Sequence, residues 1–324
     1  MSTGIKAADK PRIAVIGCGY WGINHARTLS NLGVLAGVAD IDGERALAVA
    51  EKHSSAAISL HEIAHDTEIN AAVIALPADQ HPDIAKRMLE AGKHVLVEKP
   101  MALTSANAAE VVVVARTQNR VLLTGHILRF HNAFRRIVSL IGEGAIGDIK
   151  HIQSHRLTFG KFHRHFDALW DLAPHDLSLV LALTGEAPSA VEGETVSMTG
   201  GQADAGHIHM TFGNGMTAHV HVSRHSPYRE RRFVVTGTAG MVLWDDFADW
   251  PEKLSVHKHR VWSEGSERRC EITEPQYEQL EGNMALTDEL EHFIDCIAGK
   301  DAPLTPGQQG LEVIQILEKA GQHN

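Results

Sequence analysis

Three groups of residues in this chain have types and spacings that could do chemistry on a small molecule. Gly17-Cys18-Gly19-Tyr20-Trp21-Gly22 follows the short apolar run Ile13-Ala14-Val15-Ile16 and opens a helical pattern from Ile23 to Leu32. In such a turn the first glycine permits the tight bend, the second lets the backbone approach a pyrophosphate, and the third lets helix pack closely on strand. The phosphates then sit at the helix N-terminus. A second apolar run, Val34 to Ala39, ends at Asp40, 21 residues past Gly19, near the spacing of about 20 expected for an acid that binds the adenosine ribose. A carboxylate there accepts from both ribose hydroxyls and repels a 2′-phosphate. No arginine immediately follows it in Asp40-Ile41-Asp42-Gly43, so NAD is expected rather than NADP. The other two groups are Glu98-Lys99-Pro100, after the apolar run His94-Val95-Leu96-Val97, and Asp171-Leu-Ala-Pro-His175. If the latter segment is helical, a spacing of four puts Asp171 and His175 on one face, with Pro174 expected in the first turn.

Such groups need elements to hold them. In the first part of the chain, apolar runs (Arg12–Ile16, Val34–Ala39, Ala71–Ala75, His94–Val97, Val121–Thr124) alternate with helical patterns such as Pro82–Ala91 and Ser105–Gln118. This is βαβ alternation and predicts a doubly wound parallel sheet. The second half carries successive strand candidates at Asp148–Thr158, Ala190–Met198, Ala205–Phe212, Met216–Ser223, Arg231–Thr236 and Met241–Trp244. They predict a large, open, mostly antiparallel sheet in an α+β domain. A helix is expected around Asp167 to Leu183, and closing helices at Asn283–Ala298 and Pro306–Gly321. The boundary is expected near Gly125, giving a Rossmann domain over residues 1–125 and an α+β substrate domain over 126–324.

Composition is compatible. A chain of 324 residues with 44% hydrophobic content can build two cores. No apolar run reaches the roughly 18 to 20 residues of a membrane span, and Met1 to Lys10 lacks the apolar core of a signal peptide. A soluble cytoplasmic protein is expected. A net charge of −10 argues against nucleic-acid and membrane-surface partners. The three cysteines, Cys18, Cys270 and Cys296, lack C-x-x-C spacing, so neither disulfides nor zinc is expected.

Taken together, Gly17-x-Gly-Tyr20-Trp21-Gly22, Asp40, Ala75-Leu76-Pro77 with His81, Glu98-Lys99-Pro100 and Asp171-x-x-x-His175 resemble the Gfo/Idh/MocA oxidoreductases. The resemblance spans nearly the whole chain and includes Gly237-Thr-Ala-Gly240 and Glu291-His-Phe-Ile-Asp-Cys-Ile followed by Pro303-Leu-Thr-Pro. One departure is His131 after Arg129-Phe130, where the family often has proline. The resemblance implies that Tyr20, Trp21, Leu76, Pro77, His81, Glu98 and Lys99 join the glycines and Asp40 at the cofactor. Oxidising a sugar hydroxyl needs a hydride acceptor, a base and a cation beside the developing alkoxide, and the chain offers one of each. By resemblance His175 is the base, Asp171 orients it, and Lys99 bonds the same oxygen, with a pKa lowered beside a nicotinamide cation. A homodimer or homotetramer, formed through the open sheet, is likewise implied.

Substrate is read from less. Arg156-Leu-Thr-Phe-Gly-Lys161-Phe-His-Arg164-His165, with Arg129, would supply cations suited to a diphosphate; an ordinary basic surface loop is the alternative. The stretch from Trp170 to Ser178, followed by Leu183-Thr-Gly-Glu-Ala-Pro188, resembles the family branch acting on nucleotide-activated amino sugars. That implies oxidation of C3 of UDP-N-acetylglucosamine to the 3-keto sugar, with Arg129, Lys161, Arg164, Trp170 and His175 at the substrate. An inositol or free-sugar dehydrogenase, and a non-catalytic nicotinamide-sensing protein, remain as alternatives. His207, His209, His219 and His221 invite a metal site. A two-residue Asn-Gly turn between their strands would put opposed residues of equal parity on opposite faces, and a three-residue loop would reverse this; no metal is expected. His257-Lys-His259 reads as a solvated strand or turn.

Overall fold

The structure is a computed structural model that describes residues 10–160, 167–198 and 200–321. The chain divides into two compact units, one running to Ile127 and taking up Met284–Ile314, the other comprising Leu128–Asn283 and the residues from Gln315 onward.

The first unit is built on β1 (Ile13–Ile16), β2 (Leu35–Ala39), β3 (Ala56–Ala57), β4 (Ala71–Ile74), β5 (His94–Glu98) and β6 (Leu122–Gly125). They form one sheet in the order β3-β2-β1-β4-β5-β6, and every pairing is parallel. Helices α1 (Tyr20–Asn31), α2 (Gly43–Lys52), α3 (Leu60–His65), α4 (His81–Glu90) and α5 (Ser105–Thr117) connect them. All four residues of β1 and of β4 are buried. These strands read as unbroken apolar runs because crossover helices cover both faces of a parallel sheet. The strand order reverses between β1 and β4, and ligands of doubly wound folds bind beyond the carboxyl ends of the strands at that point.

The second unit holds α6 (Asn132–Gly142), β7 (Ile149–Phe159), α7 (Ala168–Thr184) and strands β8 (Ala190–Val196), β9 (Ala205–Thr211), β10 (Thr217–Ser223), β11 (His225–Gly237), β12 (Gly240–Asp245), β13 (Leu254–Glu264), β14 (Glu267–Ile272) and β15 (Gln276–Tyr277). With β7 they make a nine-stranded sheet in the order β14-β13-β12-β11-β7-β10-β9-β8, β15 pairing with β13. Only β7 and β10 run parallel; the remaining pairs are antiparallel. Alternation is plain in β10, where Ala218, Val220 and Val222 are buried while His219 and His221 face the other way. His257 and His259 lie in β13, which therefore is a strand.

The remaining helices are α8 (Ala285–Ile297) and α9 (Gly307–Gly321). α8 places Leu290, Phe293 and Ile294 in the first unit's core with Ala26, Leu29 and Val38. Among the described residues no helix is long and apolar enough to cross a membrane.

Candidate active site

The glycine turn has the form of a phosphate cradle. Gly17 has φ +100° and its missing Cβ would lie 2.4 Å from the Ala75 carbonyl oxygen, so only glycine fits. A Cβ on Gly22 would lie 1.7 Å from the Gly17 carbonyl oxygen. Gly19 differs, because no described residue stands within 4 Å of where its Cβ would be. It is the N-cap of α1, and no side chain caps that helix end. Open space over a glycine at an uncapped helix N-terminus fits a pyrophosphate. Tyr20 is 80% exposed and meets Trp21 edge-to-face.

Asp40 closes the far side of the cradle. Its Oδ2 accepts the Cys18 N–H at 2.7 Å and its Oδ1 the Asp42 N–H at 2.9 Å, which fixes the carboxylate with lone pairs to spare for ribose hydroxyls. Burial, and then Asp40 itself, push the Cys18 thiol up to about 11, so it is inert packing. Sequence reading missed Arg45, in the first turn of α2, whose guanidinium lies 3.5 Å from Asp40 and 3.1 Å from Asp42.

Lys99 is half-buried directly after β5, in a turn held from several directions. His25 Nε2 lies 2.7 Å from Glu98 Oε1, both groups buried, and the Lys99 N–H donates to Glu98 Oε2 at 3.2 Å. His81, at the start of α4 and 1% exposed, spans two turns, with Nδ1 2.9 Å from Pro100 O and Nε2 2.8 Å from Leu76 O. A neutral ring can donate to only one of these carbonyls, an imidazolium to both; burial pulls the ring toward the neutral form. Leu76 and Pro77 thus belong to a loop tied by His81 to the Lys99 turn. His25 was not legible from sequence, being one of 22 histidines.

In the second unit Asp171 and His175 both lie on α7, one turn apart and on one face. Pro174 is interior to this helix, contrary to the expectation that it sits in the first turn. The helix begins earlier, at Ala168, where Asp167 caps it by accepting the Trp170 N–H at 2.7 Å. Proline at 174 has no N–H for the Trp170 carbonyl, a lost bond that surrounding ties offset. Arg156 Nε and Nη2 hold the two oxygens of Asp176 at 2.8 Å each, joining β7 to α7. Arg224 Nη2 donates to Asp171 Oδ2 at 3.0 Å, and Gly185 ends the helix at φ +67°. Arg156, expected among the cations for a diphosphate, is instead committed to Asp176, and the role of Arg224 was not evident beforehand because it meets Asp171 from 53 residues away, just after β10.

Arg129 lies in the 3-10 turn Ile127–Phe130, its guanidinium over the Phe134 ring at 5.6 Å; burial pushes it down to about 10. Trp170 is half-buried on α7. Lys161 and Arg164 lie outside the described residues.

The histidine register differs from expectation. His209 pairs with His219 and His207 with His221, because Phe212 N–H bonds Met216 O across the three residues 213–215. All four therefore share one face, joined by His151 and His155 of β7. His207 Nδ1 lies 3.2 Å from His219 Nε2, but among the described residues no three His, Cys, Asp or Glu side chains converge as a metal site.

A doubly wound sheet carrying this cradle, followed by an α+β unit with a large mixed sheet, is the architecture of a two-part dinucleotide-binding protein. Residues 11–126 match the family model described as oxidoreductase family, NAD-binding Rossmann fold, of the Gfo/Idh/MocA group, and residues 134–243 match a C-terminal domain of that group. The chain belongs to the Gfo/Idh/MocA oxidoreductase family. It is 30% identical over 309 residues, 94% of each chain, to the UDP-N-acetylglucosamine 3-dehydrogenase of Acidithiobacillus ferrooxidans. A solved structure of that enzyme matches with a TM-score of 0.83 over 96% of each chain at 28% identity. A D-xylose 1-dehydrogenase (NADP+) of Haloarcula marismortui is 25% identical over 338 residues, 96% of this chain and 91% of that one.

Proposed function

We propose that this chain is an NAD-dependent dehydrogenase that oxidises C3 of UDP-N-acetylglucosamine, or a close nucleotide-activated amino sugar, to the 3-keto sugar. The observation that carries the reading is α7, where Asp171 and His175 share one face and Arg224 anchors the acid. The 30% identity over nearly the full length to a UDP-N-acetylglucosamine 3-dehydrogenase supports the choice of sugar. Asp40, with both oxygens anchored by backbone N–H groups, supports NAD.

Bound nicotinamide supplies the hydride acceptor. His175 takes the proton from the sugar hydroxyl, and Asp171 stabilises the resulting imidazolium. The Lys99 ammonium offsets charge developing on the hydroxyl oxygen. Tyr20, Trp21, Leu76, Pro77, His81 and Glu98 complete the cofactor side, and Arg129, Trp170, Lys161 and Arg164 the substrate side. The proposal includes a cytoplasmic location and assembly of the chain as a homodimer or homotetramer; light scattering tests the assembly.

The experiment is to follow reduction of NAD and NADP in absorbance with UDP-N-acetylglucosamine, other nucleotide sugars, free sugars and inositol. Reduction by the nucleotide sugar, reduced on the order of 100- to 10,000-fold in Lys99→Ala and His175→Ala, is expected. Activity confined to free polyols would replace the nucleotide sugar, and cofactor binding without turnover on any substrate would indicate a sensor.

A further inference from the structure

On α8 the residues around Glu289 are those of an ordinary core helix, with Leu290, Phe293, Ile294 and Cys296 all buried. Glu289 is buried with them, 1% exposed, and among the described residues neither carboxyl oxygen has a hydrogen-bond partner. An unpaired carboxylate in such a place is strongly disfavoured. The ionisable group that faces it is a like one, Glu98 of β5. Glu98 is engaged on both oxygens, through His25 of α1 at 2.7 Å and the Lys99 amide at 3.2 Å. Gly125 of β6 packs closely on Glu98, since a Cβ there would lie 3.0 Å from Glu98 Oε2. His81 of α4 feels the Glu98 charge as well, and Asp288, Glu291 and His292 flank Glu289 along α8.

We propose that Glu289 is a positioning residue for the Lys99 turn: it stays protonated in the folded chain, leaving Glu98 alone to carry the negative charge that His25 and the Lys99 amide hold. Burial, and then Glu98, both favour that protonated form. Ionising Glu289 would set two carboxylates against each other and drive Glu98 from its partners, shifting the residue next to it, Lys99. The consequence for turnover rests on the role proposed above for Lys99; the protonation itself does not.

Infrared difference spectra of the full-length wild type against Glu289→Gln test the inference directly. A protonated-carboxyl carbonyl band is expected at neutral pH, lost in the variant; absence of the band, or its persistence in Glu289→Gln, overturns the proposal. Should the variant not fold, the wild-type band alone decides, by surviving at neutral pH or vanishing near the ordinary value of 4.5.

Stability gives a second readout. Above 4.5 the unfolded chain releases a proton that folded Glu289 keeps, so the wild-type folding constant falls relative to the variant by up to about tenfold per pH unit. A difference that stays flat with pH overturns the proposal. Positioning is read from NADH affinity by fluorescence, where the wild type should weaken at alkaline pH and Glu289→Gln should lose that limb. An unchanged limb removes the positioning role. These readouts need no turnover, so a wrong sugar assignment leaves them decisive.

Discussion

Arg224 Nη2 donates to Asp171 Oδ2 at 3.0 Å, from a guanidinium side chain only 3% exposed toward a carboxylate 28% exposed. The bond ties α7 to the segment immediately after β10 and sets the direction of the acid that shares a helix face with His175. Under the proposed function, Arg224 would join the residues that position the base, although nothing in its sequence neighbourhood marks it.

Arg224→Met should therefore destabilise the second unit and lower turnover together. Removing one partner of a buried pair costs about 3–5 kcal/mol, and the partial exposure of Asp171 places this case at the low end. Urea unfolding and kcat measure the two effects, while NADH affinity, set in the first unit, should hold. Unchanged kcat would show Asp171 to act without Arg224.

Two glycine substitutions in one turn should fail differently. Gly19→Ala puts a methyl into open space, so the melting temperature should hold while NAD affinity falls roughly tenfold or more. Gly22→Ala drives a methyl into the Gly17 carbonyl and should cost about 3 kcal/mol or more. Equal loss of stability in both would remove Gly19 from the phosphate site.

Cofactor choice should turn on Asp40 and Arg45. With Asp40 replaced by serine, Arg45 is released from an ion pair at 3.5 Å and can meet a 2′-phosphate, so preference should move toward NADP. Combining Asp40→Ser with Arg45→Ala should abolish the gain. Isothermal titration with both cofactors checks this, and a double variant that binds NADP as well as the single one would clear Arg45.

Acid should unfold the protein through its neutral histidines. Burial, and then Arg120, push His94 down to about 4, and its Nδ1 accepts the Val121 N–H at 3.0 Å, which an imidazolium cannot do. Burial and the neighbouring His207, His155 and His219 likewise push His221 down to about 4. Below the ordinary value of 6.5 the unfolded chain gains protons that these rings refuse, so stability is lost as pH falls from about 6.5 toward 4. His221→Gln should flatten that slope in urea titrations; an unaltered slope would assign the acid sensitivity elsewhere.

Most of the fold was legible because the signals are local. The five long strands of the parallel sheet and the first six of the larger sheet announce themselves as apolar runs or alternations. The outer part of β13 and β14 did not, since Arg260, Val261 and the whole of β14 are exposed and a solvated strand has no reason to alternate. The histidine register failed on one residue of loop length, which decides the face of every side chain beyond it.

What the sequence determined by itself was the cradle: glycines at 17, 19 and 22 and the acid at 40 act through backbone geometry over a few residues and one βαβ step. Asp171 and His175, four apart, are equally local. Only the tertiary structure decided what holds these groups, since Arg224 meets Asp171 from 53 residues away and His25 meets Glu98 from 73. It also decided that α8 carries Glu289 to the first unit's core. Long-range pairs of this kind follow from which surfaces pack, and buried polar groups then take the partners that packing presents.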